Sequence, residues 1–211
     1  MAYRETDLVR SRKQARRERL LLAVWSLVAE RGFASVRVSD VAKRAGMATG
    51  TVYRYFPSRE ALFVAVFERA TEVEVEQVRQ ALAGNERPVA RRVEQALKTF
   101  ARRALRAPVM AWSLIAEPVA PQVEQARLDY RGSYARLFRA AIEEGMHHGE
   151  FPRQRADLAA NAVVGALAEA LAGPLAPRRD SQIGPEDSET MIDNLVGFCL
   201  GGLTGPARSK P

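Results

Sequence analysis

Apolar positions along the 211-residue chain recur at intervals of three and four almost throughout, a spacing that predicts helices rather than strands. Leu20, Leu21, Val24, Leu27 and Val28 form a first stripe, which Gly32 ends beside Phe33. Val38, Val41, Ala42 and Ala45 form a second, closed by Gly46, where a left-handed residue is least strained. A third segment, about Ala48 to Phe56, has to stop before Pro57, because the residue preceding a proline is pushed out of the helical region. Ser58 reads as the N-cap of the next helix, which bears Leu62, Phe63, Val66, Phe67 and Ala70, and Glu60 suits the dipole of its first turn.

The helical period continues beyond residue 80. Gly84 and Pro88 punctuate, and Val89, Val93, Ala96, Leu97, Phe100 and Ala104 make the next stripe. Pro108, Pro118 and Pro121 bracket a short helix with Met110, Trp112 and Leu114. A long helix carries Val123, Ala126, Tyr130, Tyr134, Leu137, Phe138, Ala141 and Ile142 and ends near residues 145–149. An alanine-rich helix over about 155–172, a loop over 173–188 and a last helix with Ile192, Leu195, Val196, Cys199 and Leu203 complete the chain. The pattern contains no convincing strand and no internal repeat. The predicted fold is all-α, with about nine helices.

Charge divides the chain. Residues 1–60 hold 13 Lys/Arg against 6 Asp/Glu, whereas residues 61–211 hold 19 of each, so the whole net charge of +7 lies in the first 60 residues. A segregated excess of this kind fits a polyanionic partner. Arg10, Arg12, Lys13, Arg16, Arg17 and Arg19 also fit a solvated basic tail, but Arg37, Lys43, Arg44, Arg54 and Arg59 are scattered through patterned sequence. No apolar run approaches the roughly 20 residues of a membrane span, and the charged N-terminus does not read as a signal peptide. The single cysteine, Cys199, suits a reducing cytoplasm.

Three short helices before Pro57, with a tight turn at 46–48, match a helix-turn-helix unit with its motif at about 37–56. The third is too short to stand alone in water and needs packing from one side. Val52 and Phe56, four residues apart, supply that side, which leaves Thr49, Gly50, Tyr53 and Arg54 pointing outward. Hydroxyls and backbone N–H groups bind phosphates, Arg54 can reach a guanine edge, and Gly50 lets a backbone come close. Phe56 reads as core, and Tyr55 reads either way.

The run RLLLAVWSLVAERGFASVRVSDVAKRAGMATGTVYRYFPSREALFVAVFER resembles the N-terminal domain of the tetracycline-repressor (TetR) family of bacterial transcription factors, most specifically in AERGF, VSDVAKRAGM, GTVYRYF and PSREAL. The resemblance implies a homodimer with two DNA-binding heads, a palindromic double-stranded DNA operator, and a divergent C-terminal domain that senses a small molecule. It implies a basic tail over 1–13, a DNA-binding domain over 14–74 and an effector and dimerisation domain over 75–211. It assigns Arg37, Val38 and Ser39 to the start of the supporting helix, and Ala48, Thr49, Gly50 and Thr51 to the start of the recognition helix. Tyr53, Arg54 and Tyr55 lie along that helix, and Arg59 matches a basic phosphate-binding position. The chain departs from the family at Ala48 and Thr49, where Ser or Thr and then Lys are common. Ala48 forgoes an N-cap worth about 1 kcal/mol.

Phe67, Phe100, Met110, Trp112, Tyr130, Tyr134 and Phe138 are either ordinary core or the walls of an effector cavity for a hydrophobic or aromatic compound. Ala162, Ala166 and Ala170 permit close helix approach, and Ile192, Leu195, Val196, Cys199 and Leu203 make an apolar stripe. Together they are the expected dimer interface. His147 and His148 diverge by about 100° on a helix and read as residues at its C-terminal end rather than metal ligands. No catalytic constellation, phosphate-cradling loop, cofactor site or metal site is evident. The reading is a cytoplasmic, ligand-released repressor, not an enzyme and without a membrane partner. Its rivals are a constitutive dimeric DNA-binding regulator and an enzyme with an appended DNA-binding head.

Overall fold

The computed structural model describes residues 7–177 and 185–205. Among them the chain forms nine helices and no strand: α1 (Asp7–Arg31), α2 (Val38–Ala45), α3 (Thr49–Tyr55), α4 (Arg59–Leu82), α5 (Val89–Arg106), α6 (Pro108–Ile115), α7 (Pro121–His147), α8 (Ala156–Leu175) and α9 (Pro185–Thr204). The predicted stops hold. Gly46 has φ 65°, and Met47 N–H donates to Ala42 O at 2.9 Å across the closed turn. Ser58 Oγ accepts from Ala61 N–H at 3.0 Å at the start of α4.

Three boundaries differ from the sequence expectation. The basic segment before residue 14 is helical from Asp7 onward, as part of α1. α8 runs on to Leu175 with Pro174 inside its last turn, and α9 begins at Pro185, so most of the expected loop falls outside the described residues or into helix. The predicted domain division after residue 74 falls inside α4, one continuous helix.

Two apolar clusters explain that continuity. One is built by α1 to the middle of α4, from Leu20 to Phe67. It also takes Met110 from α6 and Val123 and Ala126 from α7. The other runs from Val78 of α4 through α5, α7, α8 and α9. The head is therefore not closed by its own residues. α6 and the start of α7 complete it.

Ile192, Leu195, Val196, Cys199 and Leu203 are buried in this second cluster, the most exposed of them at 9%. They pack α9 onto its own protomer, chiefly against α5 and α8. The stripe expected to face a partner is thus internal, because a helix lying on a bundle spends its apolar face there first. α8 is also long and apolar enough to cross a membrane, contrary to expectation. Alanine makes it so, while Val163, Val164, Leu167 and Leu171 are buried in the bundle.

Candidate DNA-reading head and effector cavity

α3 is held on the head by Val52, 1% exposed, and by Phe56 at its end, 4% exposed. Its N-cap, Ala48, makes no side-chain cap, as its missing hydroxyl predicts. Ala48, Thr49, Gly50, Tyr53 and Arg54 are exposed, Tyr53 by 48%, and Thr51 and Tyr55 are half-buried, with Tyr55 packed on the head's core. Arg37 and Ser39 are exposed at the start of α2. A row of backbone donors, hydroxyls, one ring and one guanidinium therefore faces solvent along the turn and α3. At about 100° per residue, Arg10, Arg12, Lys13, Arg16, Arg17 and Arg19 of α1 all fall within one half of the helix circumference. Arg17 stacks over the Phe56 ring at 5.2 Å, which ties this basic face to the end of α3.

Several predicted contacts are otherwise occupied. The Val38 side chain is buried, 8% exposed, which leaves only its backbone for a partner. Arg59 is turned to the head itself. Its guanidinium lies over Phe63 at 4.5 Å and donates to Phe33 O at 3.1 Å and to Val36 O at 3.3 Å. Arg44 forms a two-pronged pair with Glu30 at 2.7 and 2.9 Å and Ser26 Oγ donates to the same carboxylate at 3.0 Å, which together hold the Glu30 carboxyl down at about 2. These cations brace α1, α2 and α4. Sequence spacing showed them as basic but not as spoken for.

A cavity of about 100 Å³ lies among α4, α5, α6, α7 and α8. Phe67, Phe100, Met110, Tyr130, Tyr134 and Phe138 line it as predicted. Trp112 does not. It lies against the second cluster, because α6 presents Met110, Ala111, Leu114 and Ile115 to the cavity. Phe100 and Tyr134 meet edge to face at 5.4 Å, and Tyr130 donates to Glu68 O at 3.0 Å. Tyr134 is 9% exposed, and burial raises its hydroxyl well above the ordinary phenol value, so it stays a neutral donor.

The polar walls were not predicted. Arg103 of α5 grips Glu74 of α4 at 2.6 and 2.8 Å beside the cavity. Arg127, 6% exposed, donates to Leu114 O at 3.0 Å, Ser113 O at 3.2 Å and Glu117 O at 2.7 Å, and pairs with Glu124. Burial pulls its guanidinium below the ordinary value. Glu117, just past α6 and 6% exposed, reaches the head: its carboxylate accepts from Phe33 N–H at 2.9 Å and Ala34 N–H at 2.8 Å. It lies so close to Gly32, at φ 76°, that a Cβ there would stand 2.9 Å from a carboxylate oxygen. The sequence did carry a signal. Arg127 stands four residues after Val123 and seven before Tyr134, in a core register where a cation needs partners.

The bacterial regulatory protein model of the tetR family matches residues 20–66, which span the end of α1 through the first turns of α4. Over these residues the chain is similar to the tetR family of bacterial regulatory proteins. The repressor KstR of Mycolicibacterium smegmatis is 38% identical over 81 residues, 38% of this chain and 40% of KstR, so the chain spans about two fifths of that relative's length. Solved structures extend the likeness in fold to the whole bundle. FadR of Bacillus subtilis, solved with stearoyl-CoA, superposes with a TM-score of 0.73 at 17% identity, over 88% of this chain and 98% of that one. RolR, solved with resorcinol, gives 0.62 at 22% identity, over 94% and 98%. At these identities the second comparison speaks for the fold.

Proposed function

We propose that the protein is a cytoplasmic, DNA-binding repressor that works as a homodimer and is released from its operator by a small effector. The observation that carries this reading is the outward face of α3, where Thr49, Gly50, Tyr53 and Arg54 stand exposed on a helix pinned by Val52. The matched relative is a transcriptional repressor, which supports a regulator over an enzyme. Among the described residues no cluster of three His, Cys, Asp or Glu side chains suits a metal. Tyr53, Thr49 and the first backbone N–H groups of α3 hold phosphates, Arg54 reads a base edge, and the basic face of α1 adds phosphate contacts.

The partner copy sits on α8 and α9. Phe198 is 73% exposed and Leu158 63%, and between them Ala162, Gly165, Ala170, Gly197 and Gly201 are exposed and small. Ala166 is half-buried on the same helix. Small residues around one large ring permit a close isologous helix pairing.

The cavity takes the effector. The two ligand-bound folds hold an acyl thioester and a diphenol, each an apolar body with an oxygen-bearing end. A cavity of about 100 Å³ is smaller than the roughly 150 Å³ that accepts benzene, so a larger effector has to move a wall. α6 is the wall with the shortest helix, and it leads straight into Glu117. Displacing it pulls on the Phe33 and Ala34 amides and on α4, and changes how far apart the two α3 helices stand. The effector must bind the displaced state more tightly for this to work.

The test is selection of duplexes from random sequence by the wild-type protein, followed by Arg54→Ala and Tyr53→Ala. Arg54→Ala should cost about 1–3 kcal/mol and relax preference at one position of each half-site. Tyr53→Ala should weaken all duplexes alike. A folded protein that enriches no sequence at low salt refutes the reading.

A further inference from the structure

The effector reading leaves the chemistry of the ligand open, and the charges around the cavity decide it. Four charged side chains line the cavity: Glu74, Arg103, Arg127 and Arg131. Glu74, the one acid among them, is held by both prongs of Arg103. Arg127 is consumed by three backbone carbonyls and Glu124. Arg131 is exposed and has no acidic partner among the described residues. It lies four residues after Arg127, a spacing at which two like charges on a helix repel. It lies three residues before Tyr134, so both point along the same face of α7.

Tyr134 supplies the second observation. Its side chain lines the cavity at 9% exposure, and its hydroxyl makes no hydrogen bond to any described group, whereas the neighbouring Tyr130 hydroxyl does. A hydroxyl on a cavity wall with no protein partner is free to donate to a ligand oxygen there. The rest of the lining is apolar: Phe67, Phe100, Met110 and Phe138 among others.

We propose that the effector is an organic anion with an apolar body, its acidic group at Arg131 on the rim and an oxygen facing Tyr134. This rests on the effector reading above. An anion satisfies Arg131, removes its repulsion with Arg127 and accepts from the Tyr134 hydroxyl. A cation would find Glu74 already taken and Arg131 opposing it. A neutral alcohol would satisfy Tyr134 alone.

Three compounds with one body separate these cases: 3-phenylpropionate, 3-phenylpropanol and 3-phenylpropylamine, titrated into the full-length protein by calorimetry at 0.15 M salt. The acid should bind about fivefold or more tighter than the alcohol, and the amine weakest. Arg131→Gln should abolish the preference for acid over alcohol while leaving alcohol affinity unchanged. Tyr134→Phe should weaken acid and alcohol together. Arg139→Gln, which removes a charge paired with Glu143 away from the cavity lining, should change nothing. Alcohol or amine binding as tightly as the acid overturns the proposal, and so does an acid preference that survives Arg131→Gln. If none of the three binds at millimolar concentration to a protein that still binds its selected duplex, the effector reading itself falls. If no duplex is selected, the DNA-binding reading falls instead.

Discussion

Glu117→Ala is the sharpest test of how the two cores are joined. The substitution removes acceptors from two backbone donors, Phe33 N–H at 2.9 Å and Ala34 N–H at 2.8 Å. Phe33 is 2% exposed, so its amide cannot turn to water, and a buried donor left unmade costs about 1–3 kcal/mol. Ala34 is exposed and recovers part of its bond from solvent. The carboxylate itself makes no hydrogen bond to a cation, so its own desolvation is recovered when it is removed, which trims the loss. The net expectation is about 2–3 kcal/mol. Glu117→Gln keeps one acceptor but turns an NH₂ group toward the other amide, and should fall between wild type and Ala. Urea unfolding followed by circular dichroism measures this at one fixed protein concentration, since the proposed dimer would make stability concentration-dependent. With a slope of about 1–3 kcal/mol per molar urea, the Ala midpoint should drop by roughly 0.7–3 M. An Ala variant within about 0.5 kcal/mol of wild type, the size of an ordinary surface effect, would show that the clamp is ornamental, and α6 would lose its path to the head.

Two further outcomes follow from other contacts. Phe198→Glu should yield monomers in sedimentation and lose selected-duplex binding together, because it buries like charges at a symmetric contact. Leu195→Glu should instead unfold the protomer, since Leu195 is internal. A Phe198→Glu protein that stays dimeric places the interface elsewhere. Glu150 accepts from Ala90 N–H and Val89 N–H at 2.9 Å each, and those backbone donors hold its carboxyl below the ordinary range. The unfolded chain therefore binds more protons in acid, and this group stabilises fully above its unfolded value of about 4.3. The stabilisation is lost as pH falls through the lower folded value. The stability gap between wild type and Glu150→Gln should close as pH falls below the unfolded carboxylate value of about 4.3, and a gap independent of pH would refute the capping role.

Helix period and chain breaks made the architecture legible. Gly46, Pro57, Ser58 and Pro108 mark boundaries by backbone sterics or capping, which act locally and so can be read from the chain. Tyr53 and Arg54 were legible because Val52 and Phe56 leave a two-turn helix only one way to face. What stayed hidden depends on partners distant in sequence. Arg59 and Arg44 are basic residues in a basic region, and only the fold reveals that Phe33 O, Val36 O and Glu30 occupy them. The α9 stripe misled for a related reason: period shows that a helix has an apolar face but not whether its own bundle or a second copy covers it. Phe198, beside exposed glycines on the other side of α9, is what the bundle leaves uncovered.

The continuity of α4 bears on how such proteins can be recombined. Its 24 residues start in one core and finish in the other, and Met110, Val123 and Ala126 from beyond α5 plug the first core. Grafting residues 1–74 onto a foreign sensor would sever a helix and leave three holes where those side chains sat. A working chimera has to import the recipient's counterparts of α6 and the first turns of α7 along with the head, or refit the head to them. Exchange of specificity by shuffling therefore has two easy sites, the solvent face of α3 and the lining of the cavity, and a conservative seam between them that must travel as one piece.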